Sequence, residues 1–211
     1  MSDTFDADEE ALGSQWYDEK TTRMQEMLGQ EHDSVMHSII PYSMGGALDL
    51  YYFPNGIPGT AIATKELCEL PGQGANNDWY ENYELVMFTR EPINLEQANN
   101  VKHTFGKIHR RLNAILNCMA RYSEEATLNP GETCEFPEEM EELGGRCLIF
   151  DAYEDQEDET QFGLLLVMEV YREEMEFARK LGSQLLIDLL KSKGHYPYSD
   201  LNREPVVDAA D

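Results

Sequence analysis

"FGLLLVMEVYREEMEFARKLGSQLLIDLLKSKG", Phe162 to Gly194, decides the fold class. Residues 162–171 are almost continuously apolar and read as a long buried strand. A helix follows at once. Glu173, Glu174 and Glu176 stand in its first turn, and Ala178, Leu181, Leu185, Leu186, Leu189 and Leu190 make one apolar side. Lys191 and Lys193 close it, and Gly194 stands at the stop. Acid first, base last and glycine at the end suit the helix dipole and its C-terminal cap. A buried strand running into a long amphipathic helix calls for a sheet with helices laid on it.

Working upstream, "RCLIFDAY" (146–153) is another strand. "NPGE" (129–132) breaks the chain before it. Ahead of that break, Val101, Phe105, Ile108, Leu112, Ile115, Met119 and Tyr122 recur at spacings of three and four. They predict one helix from Asn94 to about Tyr122, opened by a capping box of Asn94 with Gln97. Four strand-like runs precede it: 35–40, 47–53, 60–67 and 82–89, each bounded by Gly, Pro or Asn. A first helix is expected from Ser14 to Leu28, with Trp16, Tyr17, Met24, Met27 and Leu28 on one side and Gly29 at its stop. Residues 1–13 are acidic without an apolar period, and are set apart as a segment of doubtful order. The pattern is α+β: a mixed, mainly antiparallel sheet packed against long helices, in one domain spanning 14–211.

The chain has 211 residues, with 41 Asp and Glu against 16 Lys and Arg, a formal charge of −25. Such a surface repels nucleic acid and anionic membrane, which are bound by neutralising phosphates with Lys and Arg. It suits a basic protein or peptide partner, although charge of this kind also serves solubility alone. Cys68, Cys118, Cys134 and Cys147 form no CxxC pair and read as reduced, mostly buried thiols of a cytoplasmic protein. No signal peptide is expected at the start, and the longest apolar run, "GLLLVM", is too short for a bilayer.

Motifs for chemistry are few. GxSxG and HExxH are absent. His32, Asp33 and His37 lie near one another in sequence, but a spacing of five fits neither a helical face nor a strand face, so no metal is expected. "GQGANN" (72–77) reads as a turn and not a phosphate loop. "DAYEDQEDETQF" (151–162) has the length of a calcium loop but carries Gln156 where glycine is required and Phe162 where the bidentate Glu belongs. Lys102, Lys107, Arg110 and Arg111 are the basic cluster, expected to pair with acids or face water. Asp49, Glu66 and Glu84 fall in strands; two of them meeting in a cleft would serve as acid and base. No cofactor is implied.

The blocks "GGALDLYYFPNG", "NYELVMFT", 163–194 and the aromatic "YPYSDLNR" tail resemble, in order and spacing, the suppressor of fused family, specifically its N-terminal domain in single-domain form. The resemblance runs from about Met36 to Val207. It implies a cytoplasmic, non-catalytic module that holds a partner protein or peptide as an added β-strand, and for bacterial relatives an antitoxin or immunity role. The two-domain clamp of the animal protein is not expected here, and "IATKELCE" departs from a stretch that usually contains glycine. The resemblance places Glu66, Cys68 and Asn76 at or near the peptide site, and matches residues 60–68 to the edge strand. It also implies that the segment after the last helix folds back onto the domain. Tyr196 and Tyr198 would bury their rings there, Pro197 would fix the path, and Asp200 would pair with Arg203. From the residues themselves, Trp79 and Tyr80 are two aromatics on the polar loop 71–82, of the kind that anchor partners or pack onto their own domain. The other reading, an enzyme built on the strand carboxylates, stays open at this point.

Overall fold

The computed structural model describes residues 2–153 and 161–207, with side chains from residue 9 onward. In chain order the elements are α1 (Ser2–Leu28), β1 (Tyr51–Phe53), β2 (Thr60–Ala63), β3 (Asn82–Thr89), α2 (Thr104–Ser123), β4 (Thr133–Glu135), β5 (Cys147–Tyr153), β6 (Phe162–Val170), α3 (Arg172–Leu181) and α4 (Ser183–Ser192). The strands form one six-stranded sheet in the order β1-β2-β3-β6-β5-β4. Only the central pair, β3 with β6, is parallel. The sheet is therefore mixed and mainly antiparallel.

Helices cover both faces, and the strands show why. Successive side chains of a strand point to opposite sides. Leu164, Leu166, Met168 and Val170 of β6 join Val86 and Phe88 of β3 in a core with α1, α3 and α4. Leu165 and Val167 join Tyr83, Leu85 and Met87 in a second core under α2. With apolar partners on both sides, β3 and β6 need no polar alternation, hence their continuous apolar sequence. Leu112, Ile115, Leu116 and Met119 seat α2; Trp16, Met24 and Leu28 seat α1.

Several expected boundaries move. α1 starts at Ser2 and not Ser14, so it takes in acidic residues ahead of the apolar seam. Tyr17 faces outward, 41% exposed. The run 35–40 is no strand: it contributes one bridge, Met36 to Leu50. The Asn94 side chain caps only a 3₁₀ turn, Leu95–Gln97, and α2 begins ten residues later than expected, leaving Val101 outside it and exposed; Tyr122, in its last turn, is exposed too. The long C-terminal helix is two helices. Gly182 sits at φ +112, ψ +138, a conformation no helix contains, and the helix is interrupted there. Leu181 and Leu185 consequently point to solvent, while Ala178, Leu186 and Leu190 stay in the core. β4 is a strand that the sequence reading did not contain.

The tail does fold back. Tyr198 bridges Phe88 in parallel, and the Ser199 N–H donates to the Phe88 carbonyl at 2.8 Å. The Tyr196 hydroxyl donates to Asp151 at 2.9 Å and the Tyr198 hydroxyl to the Pro58 carbonyl at 2.7 Å. The expected Asp200–Arg203 pair is replaced by two longer-range ones. Asp200 accepts from the Thr89 hydroxyl and the Arg90 N–H. Arg203 binds buried Glu174 through two parallel bonds of 2.6 and 2.8 Å. That carboxylate also accepts the Tyr171 and Val206 N–H groups, so a single side chain ties the start of α3 to the end of the chain.

Candidate functional site

The loop between β2 and β3 is held by a set of side-chain hydrogen bonds. Buried Asn82 accepts the Gly72 N–H at 2.7 Å and donates to the Gln73 carbonyl at 2.8 Å. The Asn77 side-chain oxygen accepts the N–H groups of Trp79 and Tyr80, and its amide donates to the Leu128 carbonyl. The Asp78 N–H donates to Asn129. These bonds fix two neighbouring aromatics in opposite roles. Tyr80 is buried, 4% exposed, with its ring against Gly163 of β6. Trp79 is 45% exposed.

Three clefts meet along this loop. One of about 510 Å³ runs over Gly72 and residues 76–81. A second of about 560 Å³ lies between Tyr42, Leu67, Asn76 and the end of α2, Ser123 to Thr127. A third of about 500 Å³ lies between Ile57, Trp79, Asp151, Tyr153, Lys191 and Tyr196. Asn76 is common to the first two and Trp79 to the first and third. Carboxylates dominate the walls: Asp78, Glu81, Glu124, Glu125 and Asp151, against Lys191.

Behind the loop lies a buried ionic cluster. Lys20 of α1 reaches Glu84 of β3 at 2.9 Å, with both side chains sealed from solvent. Its ammonium also donates to the Lys65 and Cys68 carbonyls. Glu84 further accepts the Thr64 hydroxyl and the Leu67 and Cys68 N–H groups. Every charge in the cluster has partners, as a buried pair requires. Burial pulls the Lys20 pKa down, but Glu84 and Cys68 beside it together outweigh burial and leave it raised.

No family model and no curated protein sequence matches the chain. Solved structures do. The crystal structure of the Sufu–Fu complex matches at a TM-score of 0.58 and 14% identity, covering 92% of each chain. A suppressor of fused homologue from Neisseria gonorrhoeae FA 1090 matches at 0.54 and 12% identity, covering 89% of this chain and 94% of that one. The fold is that of suppressor of fused.

Within this suppressor of fused-like fold the expected site residues separate. Asn76 and Trp79 lie on the exposed loop. Cys68 does not: it is fully buried, its Sγ 3.3 Å from Glu84, and burial, with that carboxylate, pushes its thiol far up. Tyr80 is inside as well. Glu66 is half-buried and accepts the Asp49 N–H at 2.6 Å. The stretch 60–67 is no sheet edge: β2 is paired on both sides, with β1 and with β3, and residues 64–67 leave the sheet. The edges are β1 and β4. The outer side of β1 is covered in part, since the His32 N–H donates to the Tyr52 carbonyl.

None of the three clefts above is walled by Asp49, Glu66 or Glu84. Glu84 is sealed, and Glu66 meets Asp49 through the backbone. Asp49 instead accepts from His37, 2.6 Å away, and the Ser38 N–H. Among the described residues no group of three His, Cys, Asp or Glu side chains is placed to hold a metal, and no helix is long and apolar enough to cross a membrane. Most of the acidic loop, residues 154–160, lies outside the described residues. The clefts themselves had no sequence signal, because their walls come from segments far apart in the chain.

Proposed function

We propose that this chain is a non-catalytic protein-binding module of the cytoplasm that docks a basic protein or peptide across the Asn76–Trp79 loop. One observation carries the reading: a tryptophan 45% exposed, on a loop pinned by hydrogen bonds, at the junction of clefts walled by carboxylates. A large aromatic left in water is an unfavourable arrangement that a partner relieves, and a pre-set loop spends little entropy on binding. The acidic walls would attract and orient a cationic partner. A matching solved structure, the Sufu–Fu complex, is itself a complex with a protein. Sequestering or neutralising such a partner, in the manner of an antitoxin or immunity protein, is the role this surface serves best. Affinity capture from the source cell, followed by identification of a stoichiometric partner, tests it. Recovery of a basic protein that Trp79→Ala no longer retains is the expected result; capture unaffected by that substitution would move the interface elsewhere.

A further inference from the structure

The basic cluster has a place that the Trp79 face does not use. Lys107, Arg110 and Arg111 of α2 line a groove of about 350 Å³ with Arg146, whose apolar wall is Val101, Ala114 and Leu143. The groove is built from inside. Glu169 of β6 is 0% exposed; one oxygen accepts a hydrogen bond from Arg146 at 2.7 Å, and the other pairs with Arg111 Nε at 2.7 Å as a charge contact without hydrogen-bond alignment. Arg111 also donates to the Ser199 carbonyl, and Arg146 to the Glu142 carbonyl. One buried carboxylate thus fixes two guanidinium groups with part of each facing out. A second carboxylate enters from the solvent side: Glu142 pairs with Arg110, both about half exposed. Glu142 stands at φ +87, where a non-glycine residue is strained, and no other non-glycine among the described residues has a positive φ. Lys107 forms no ion pair among the described residues.

Four cations face two carboxylates in a groove on a chain of formal charge −25. A solubility surface has no use for that local excess. We infer that this groove is an oxyanion-binding site, for a phosphate or a carboxylate carried on a small apolar group, in which the Glu142 carboxylate occupies the ligand's position until displaced. Guanidinium groups fixed in orientation suit either oxyanion by paired N–H donation. The apolar wall suits an attached hydrocarbon.

The test titrates inorganic phosphate and, separately, N-acetyl-leucine into the intact protein, following the arginine Nε–H and backbone signals of 142–146 by NMR. Saturable shifts confined to this groove are expected, and the tighter probe identifies whether phosphate or an apolar carboxylate is the ligand. Glu142→Gln removes the internal competitor and should tighten binding by about two- to fivefold, the worth of one exposed ion pair. Arg110→Ala and Lys107→Ala should each weaken it by a similar factor. Glu139→Gln removes the same charge outside the groove and should leave binding near wild type. Absence of saturable shifts with both probes in the wild type and in Glu142→Gln overturns the site. So does equal tightening by Glu142→Gln and Glu139→Gln, which would reduce the effect to overall charge.

Discussion

A methyl group on Gly163 would stand 2.2 Å from the Tyr80 ring. The central strand of the sheet thus has no side chain at the one point where the loop's aromatic lies across it. Tyr80 is held down by this fit, and Trp79, its neighbour, is held up. Gly163→Ala should therefore destabilise the domain by about 1–3 kcal/mol, as overpacking does, and loosen the loop. Urea unfolding measures the first effect. Amide exchange at residues 76–81 measures the second. A variant as stable as wild type, with an unchanged loop, would show that Tyr80 is not seated by Gly163.

Lys20 and Glu84 anchor α1 to β3 through a pair with no solvent contact. Removing one partner leaves a buried charge with too few donors. Lys20→Met should cost about 3–5 kcal/mol, and Lys20→Met with Glu84→Gln should recover part of the loss. Chemical denaturation of the single and double variants measures both. Equal stability of Lys20→Met and wild type would remove the pair from the list of supports.

Glu66 supplies a pH test. Burial raises its pKa above 4.5; the Asp49 N–H opposes this, while the Asp49 and Glu84 carboxylates add to it. A carboxyl whose pKa is raised on folding binds its proton more tightly in the native state. Its contribution is therefore fully present below the unfolded value and is lost as pH rises through the folded one. Glu66→Gln removes the ionisation and keeps an oxygen for the Asp49 N–H. Its melting temperature should exceed wild type at pH 7, with the difference shrinking toward pH 4. The opposite trend, a deficit that grows with pH, would contradict the assigned shift.

Adjacent leucines in α4 test the break at Gly182. Leu186 is 0% exposed and Leu185 51% exposed. Leu186→Asp should unfold or aggregate the domain, as should Leu112→Asp under the other face, because each buries an unpaired carboxylate. Leu185→Asp should be tolerated. Thermal melts of the three variants check this. A loss at Leu185 equal to that at Leu186 would restore a single continuous helix with both residues inside.

Local pattern carried the reading furthest where the pattern was strong. β3 was legible to the residue, and the Phe162–Val170 strand to within one, because an apolar run covered on both faces leaves little choice. The apolar seam of α2 was legible too, but its start was not: Asn94 is a real cap that opens only a 3₁₀ turn. Gly182 was read through as a residue within a helix, since composition does not reveal a φ of +112. β4 has three residues, Thr-Cys-Glu, with no alternation to find. The tail's return was expected from the resemblance, yet its partners were not, because Arg203 and Glu174 are brought together only by the finished fold. For the candidate site the same limit applied. Trp79 and Tyr80 look alike in sequence, and only Gly163, some eighty residues on, tells them apart.

The central claim is that Trp79 is a docking residue, and its fluorescence tests this directly. The chain has two tryptophans, Trp16 at 2% and Trp79 at 45% exposure. Titrating the captured partner should shift Trp79 emission to the blue as the ring leaves water, with Trp16 already buried and silent. Trp79→Ala should abolish the shift and weaken binding by about thirtyfold, the loss of a 2 kcal/mol anchor. Tight binding with no change in Trp79 emission, and equal affinity for Trp79→Ala, would contradict the account.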